Sequence, residues 1–199
     1  NRLSIVNYKN IAQAEVAFSE KINCFFGNNG MGKTNILDSI YYLSFCKSHI
    51  HTPDTQLIRF GEDMCVLQGF YDFEGKTEEL FCAIRNKQRK QFKRNKKEYD
   101  KLSDHIGLLP LVMISPADTD LIQGGSEDRR RFLDLIISQQ DKKYLYSLIQ
   151  YNKALTQRNA LLKEQNLDAS LFEALDLQLV RFGEYIYICL LYTSDAADE

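Results

Sequence analysis

Eight consecutive residues carry the clearest chemistry in this chain. Gly27, Asn28, Asn29, Gly30, Met31, Gly32, Lys33 and Thr34 complete the pattern G-x-x-x-x-G-K-[ST], a loop type that closes backbone N–H groups around phosphates. Phosphates are bulky anions, so Gly27, Gly30 and Gly32 serve by having no side chain to block their approach. Lys33 would reach the β- and γ-phosphates as a point charge, and the Thr34 hydroxyl is the expected ligand of Mg²⁺.

Such a loop works only between a strand and a helix. The apolar run 22–26, stopped by Gly27, reads as a buried strand feeding the loop. After Thr34 the period changes, and Ile36, Leu37, Ile40, Tyr41 and Leu43 mark one side of a helix ending near Cys46. That helix start would add unpaired N–H groups and the positive end of its dipole.

Upstream, 2–8 and 14–18 read as strands joined by a turn at Lys9 and Asn10. Downstream, 64–73 and 78–85 read as antiparallel strands around a turn at Glu74, Gly75 and Lys76, and a further apolar run, 108–114, ends at Ser115 and Pro116. From Ser126 to about Gln165 the pattern is helical and arm-like. A last helix is expected from Asp168, as N-cap, to about Tyr187, with Leu171, Leu175, Leu179 and Phe182 on one face.

The chain has 199 residues, 44% apolar and 26% charged, the composition of a globular protein with a real core. A formal charge of −2 means that any contact with nucleic acid must come from local clusters. The five cysteines are scattered and never spaced Cys-x-x-Cys, which suggests neither a disulfide framework nor a zinc site and fits a reduced, cytoplasmic setting. The longest apolar run, 186–192, is far below the roughly 20 residues of a membrane helix. Residues 188–199 break abruptly from the charged helical pattern before them and are set apart as a non-native tail.

Three partial motifs compete with the loop for interpretation. Asp72-Phe73-Glu74-Gly75 fits D-x-x-G, and Asn95-Lys96-Lys97-Glu98 nearly fits a guanine-reading Asn-Lys-x-Asp, but the two lie too close together and Glu98 stands where Asp is needed. Ile122-Gln123-Gly124-Gly125-Ser126 has the look of an ABC signature loop without completing it, and 108–114 that of a Walker B strand with Ser115 in place of the acidic residue. Both are read as structural. His49 and His51 are read as loop histidines, since no third ligand is spaced for them.

The run from Leu3 to Asn10, the segment from Gly32 to Ser44, the turn Ser115-Pro116-Ala117-Asp118, Gly125, and the stretch Arg129-Arg130-Arg131-Phe132-Leu133-Asp134 together resemble the RecF family over residues 1–187. The resemblance implies an α/β P-loop NTPase of the ABC-type ATPase head class, with an antiparallel β lobe and a helical arm, truncated. Residues 1–125 would be the N-terminal part of the head and 126–187 the arm. It implies ATP and Mg²⁺ as cofactors and an ATP-dependent homodimer that binds single-stranded and gapped double-stranded DNA. With RecO and RecR it would help load RecA in recombinational repair and replication. The family's signature loop, Walker B acidic pair and switch histidine lie further along than residue 199, so ATPase activity is expected of the full-length protein and no catalytic residue is assigned. The alternatives are another ABC-type repair head, of the Rad50 or SMC type, and a P-loop GTPase. The short pattern after Asp141 does not support the long heptad coiled coil of a Rad50 or SMC head.

Two basic clusters are candidates for DNA. Arg85, Lys87, Arg89, Lys90, Lys93, Arg94, Lys96 and Lys97 form a dense run broken by Phe92, readable as a phosphate-neutralising patch or as a solvated hairpin turn. Arg129, Arg130 and Arg131 oppose the macrodipole at a helix start, with Glu127 and Asp128 at hand to compensate. Lys9 stands in a turn from which it would approach the bound phosphates.

Overall fold

The computed structural model describes residues 1–50, 52–73, 75–119, 123–164 and 169–195. His51, Glu74, Ile122, the expected N-cap Asp168 and residues 196–199 lie outside the described residues. The chain divides into two compact units, Asn1–Met113 and Ile114–Glu199.

The first unit is a six-stranded antiparallel sheet in the order β2-β1-β3-β4-β5-β6. Its strands are β1 (Arg2–Tyr8), β2 (Ile11–Ala17), β3 (Met64–Phe73), β4 (Lys76–Arg85), β5 (Gln91–Arg94) and β6 (Lys97–Glu98). Alternation decides which face is covered: Leu3, Ile5, Cys65, Leu67, Leu80, Cys82, Ile84 and Phe92 point to one side and are all buried. Helix α1 (Lys33–Phe45) lies there, inserting Tyr42 and Leu43, with Ile36 and Ile40 packed at the margin. Each fully buried side chain of this size contributes roughly 1.5–3 kcal/mol. Burial pushes the Cys46 and Cys65 thiols up to about 12, so they behave as core residues.

Two local features depart from the sequence expectation, and a third decides between two readings. Residues 22–26 form no strand, and Ile22 and Phe26 are 87% and 93% exposed. A run apolar on both faces suits a central strand with a neighbour at each edge, and no strand pairs with it among the described residues. Residues 108–114 form no strand either; Leu108 and Leu109 instead pack against the core, and the Leu109 carbonyl accepts a hydrogen bond of 2.6 Å from Ser44. Within the basic run, β5 and β6 form a hairpin whose turn residues, Asn95 and Lys96, both have positive φ, the geometry of a tight type I′ turn.

The second unit holds α2 (Ser126–Gln140), α3 (Lys142–Lys163) and α4 (Ala169–Asp195). The helical pattern expected from Ser126 to about Gln165 divides into two helices at Asp141, which leaves helical geometry (φ −118°, ψ 105°) so that its carboxylate can accept from the amides of Lys143 and Tyr144. The same carboxylate receives the Tyr185 hydroxyl at 2.7 Å. Arg158 pairs with Asp176 at 2.6 Å and Tyr146 meets Phe182 edge-on, so α3 and α4 are joined along their lengths. Helix α4 passes the expected end at Tyr187 and runs to Asp195, because 188–192 contains neither glycine nor proline to stop it.

Candidate phosphate-binding site

The loop 27–34 takes its shape from backbone conformations open mainly to glycine. Gly27, Gly30 and Gly32 have φ of 143°, 81° and 93°. Gly32 is also the N-cap of α1, and a Cβ there would lie 2.9 Å from Asn10 Oδ1 and 3.2 Å from Ile11 Cγ1. Neither backbone nor space admits another residue without a shift.

No side chain caps the start of α1, and no acidic residue occupies its first turn. The first amides of a helix have no intrahelical acceptor, so this end presents N–H donors and partial positive charge with no built-in anion competing. Lys33 Nζ donates to the carbonyls of Gly27 and Asn28 at 2.8 Å each, which places its charge over the mouth of the loop. Thr34 is exposed one residue into the helix. Three positive-φ glycines, an uncapped helix start, an ammonium over the loop and a hydroxyl beside it suit a polyphosphate with a hard cation. Lys33 would hold the β- and γ-phosphates and Thr34 the Mg²⁺.

The turn between β1 and β2 braces this loop. Asn10 Nδ2 donates to the Gly30 carbonyl at 2.6 Å, and Asn10 Oδ1 accepts from Asn35 Nδ2 at 2.7 Å. The Lys9 ammonium, expected near phosphate, is instead paired with Asp38 Oδ2 at 2.7 Å. Asp38 is fully buried on α1 and also accepts from the Tyr8 hydroxyl at 2.5 Å, from Ser48 Oγ at 3.0 Å and from the His49 amide at 2.8 Å. Burial alone would raise this carboxyl; the hydrogen bonds from Lys9, Tyr8 and the His49 amide, with the Lys9 charge, outweigh it and hold Asp38 below the usual carboxylate range. Asp38 was not singled out from sequence, although a carboxylate between Leu37 and Ile40 in an apolar helix was a signal.

The other end of α1 is locked. Lys90 Nζ reaches the Cys46 carbonyl at 2.6 Å, the Tyr42 hydroxyl at 3.0 Å and Asp54 Oδ2 at 2.9 Å, a cation where the helix dipole favours one. His105, buried and unremarked in the sequence, bonds the Leu43 carbonyl at 2.7 Å through Nε2 and lies 3.1 Å from the Tyr99 hydroxyl through Nδ1.

The basic run therefore separates into parts. Lys90 is a structural cation, Arg94 is bidentate to Glu78 at 2.7 and 2.9 Å, and Arg89 donates to the Asp100 carbonyl at 3.3 Å. The Arg94 hydrogen bond leads the effects that bring the Glu78 carboxyl down to about 2. Lys93 stands over the Phe81 ring, while Arg85, Lys87, Lys96 and Lys97 are exposed and make no ion pair among the described residues. Asn95 clips the hairpin to β4, accepting from the Glu79 amide at 2.9 Å and donating to Glu78 at 2.7 Å. Asp72 likewise caps its own turn, accepting from the Gly75 amide at 2.9 Å. Both lookalikes of guanine-nucleotide motifs are thus hairpin turns occupied with their own backbone. In the helical unit Gly125 is the N-cap of α2, Arg131 pairs with Glu127 at 2.5 Å and with Asp128 at 3.8 Å, and Arg129 donates to the Gly124 carbonyl at 3.1 Å.

A sheet carrying a glycine loop at the start of its packed helix, followed by a helical arm, is the N-terminal architecture of an ATPase head. The chain belongs to the AAA ATPase domain family, whose model matches residues 1–178. It is 72% identical over 186 residues to the DNA replication and repair protein RecF of Parabacteroides distasonis, covering 94% of this chain and 51% of that protein. The RecF of Phocaeicola vulgatus is 58% identical over 188 residues, again covering 94% and 51%. The chain thus spans about half the length of the curated relatives it matches.

A solved structure of the recombination mediator protein RecF with ATP, in the RecFOR pathway, superposes with a TM-score of 0.89 at 28% identity, covering 97% of this chain and 53% of that one. A structure of SMC ATPases shares the fold with a TM-score of 0.56 at 17% identity, covering 68% and 97%. The resemblance to the RecF family and the ABC-type head fold expected from the sequence are both borne out.

Proposed function

We propose that this chain is the nucleotide-binding part of a RecF-type DNA-repair ATPase, holding ATP and Mg²⁺ on residues 27–34 and acting in the cytoplasm. The observation that carries it is the start of α1: uncapped amides, no acidic residue in the first turn and the Lys33 ammonium over the glycine loop. The RecF structure with ATP and the family match support the choice of nucleotide. Thr34 would hold Mg²⁺, and the cation would supply neutralisation of the phosphate charge there. The chain's own residues bind and orient: the loop amides and Lys33 hold the phosphates, and Thr34 offers its hydroxyl to the cation.

In the full-length protein we place this unit in an ATP-dependent homodimer that engages gapped or single-stranded DNA and works with RecO and RecR to load RecA, in keeping with relatives named for DNA replication and repair. The exposed cations Lys87 and Lys96, in the turns flanking β5, and Lys97, at the start of β6, are the phosphate contacts we favour. The test is equilibrium binding of ATP and GTP by the chain extended to the length of its relatives, with Lys33→Ala as control and gapped DNA present or absent. Selective ATP binding that strengthens DNA binding and disappears in the variant supports the proposal. Preference for GTP, or DNA binding indifferent to nucleotide and to Lys33, overturns it.

A further inference from the structure

Asn10 lies outside the phosphate-loop pattern and in a different element, the turn joining β1 to β2. We infer that Asn10 is a positioning residue of the phosphate loop: its side-chain amide fixes the Gly30–Met31 peptide so that the Met31 N–H faces the phosphate side. The inference rests on the proposed binding of phosphate by this loop and deepens it.

The geometry runs from the turn to the loop in three links. A trans peptide is planar with C=O and N–H in opposite directions. Asn10 Nδ2 takes the Gly30 carbonyl at 2.6 Å, which turns the following amide away from the β1–β2 turn. Asn35, in the first turn of α1, donates to Asn10 Oδ1 at 2.7 Å and so fixes which end of the Asn10 amide faces Gly30. The same oxygen lies against Gly32, where a Cβ would come within 2.9 Å, so the turn also sets the closest approach of the loop's last glycine.

The brace is itself held. Lys9 has a φ of 51°, its amide donates to the Leu57 carbonyl at 2.7 Å, and its ammonium is anchored on buried Asp38. A glycine-rich loop loses more backbone freedom than any other segment on adopting one conformation. A side chain that fixes one of its peptides in advance removes part of that loss from the binding step. The effect belongs in affinity for nucleotide, and a residue serving only to stabilise the sheet would leave that affinity alone.

The experiment titrates ATP with Mg²⁺ by calorimetry into the full-length protein, unsubstituted and as Asn10→Asp, Asn35→Ala, Lys33→Ala and Tyr42→Phe, with a thermal melt of each. Asn10→Asp keeps the acceptor for Asn35 and loses the donor to Gly30; its affinity is expected to fall about tenfold, the equivalent of one hydrogen bond. Asn35→Ala leaves the Gly30 bond but frees the Asn10 amide to rotate, and is expected to lose about threefold without damage to the helix. Tyr42→Phe destabilises the far end of α1 and should leave affinity unchanged. Unaltered affinity in both Asn10→Asp and Asn35→Ala, or equal losses in Tyr42→Phe, overturns the inference. If Asn10→Asp does not fold, Asn35→Ala decides alone. Failure of the unsubstituted protein to bind ATP, or indifference to Lys33→Ala, would instead count against the proposed function.

Discussion

The two ends of α1 are built for opposite purposes. At the C-terminal end Lys90, Asp54, His105 and Ser44 fasten the last turn to strands and loops, and Tyr42 and Leu43 are fully buried. At the N-terminal end no side chain caps the helix, the apolar side chains of Ile22, Phe26 and Met31 face solvent, and Asn10, from the turn between β1 and β2, donates to the loop. Stability is concentrated where the backbone groups are satisfied internally, and binding capacity where they are left for a ligand. Asp38 sits between, five residues beyond Lys33, and ties the bracing turn to the body of the helix.

The comparison breaks most visibly at the locked end. Tyr42→Ala removes a fully buried ring together with its hydrogen bond to Asp54, and is expected to lower stability by about 3–5 kcal/mol. Chemical denaturation measures this, and ATP affinity per folded molecule should stay the same. Lys33→Ala should do the reverse. Its unfolding curve should match the unsubstituted protein, while ATP affinity falls roughly a hundredfold, as expected for losing two charge-assisted hydrogen bonds at about 1.5 kcal/mol each.

The middle of the helix responds to pH. The Asp38 carboxyl is depressed in the folded chain from an ordinary value of 3.8, so its contribution is complete above that value and is lost as pH falls through the folded one. Asp38→Asn is expected to cost roughly 2 kcal/mol near neutrality by leaving Lys9 without its counter-charge. The gap between variant and unsubstituted protein should close in acid below about pH 4, read from denaturation at a series of pH values. A gap that stays constant with pH would mean that the carboxylate charge is not what matters. The smallest effect belongs to the basic hairpin: Lys96→Ala with Lys97→Ala should weaken DNA binding a few-fold and reduce its salt slope by about 2. Lys90→Ala, by contrast, should act through stability.

The sequence was most legible where periodicity and backbone chemistry coincide. Residues 64–73 alternate and form β3 over those limits, and the glycines of the loop announced themselves through a pattern that few other functions require. The hairpin of β5 and β6 was one of two readings of the basic run, because Phe92 is its one core residue and pairing with β4 imposes its conformation. Residues 22–26 have the composition of a buried strand, but a strand exists only with a partner to bond, and composition says nothing about where the partner is. Asp141 interrupts a helix that contains no breaker, through a capping bond that competes with continuation. The partners of Asn10 and Asp38 were not legible, for a related reason. A polar residue that braces another segment leaves no periodic trace, and its partners lie 20 and 29 residues away, in Gly30 for Asn10 and in Lys9 for Asp38.

Backbone amide exchange along α1, with and without ATP and Mg²⁺, puts the contrast between its ends to the most direct test. Protection concentrated in 27–36, with little change at 42–46, is the expected result, because the first segment holds the donors for phosphate and the second is already bonded. Exchange unchanged in 27–36, or slowed equally at both ends, would contradict the assignment of nucleotide binding to the start of this helix.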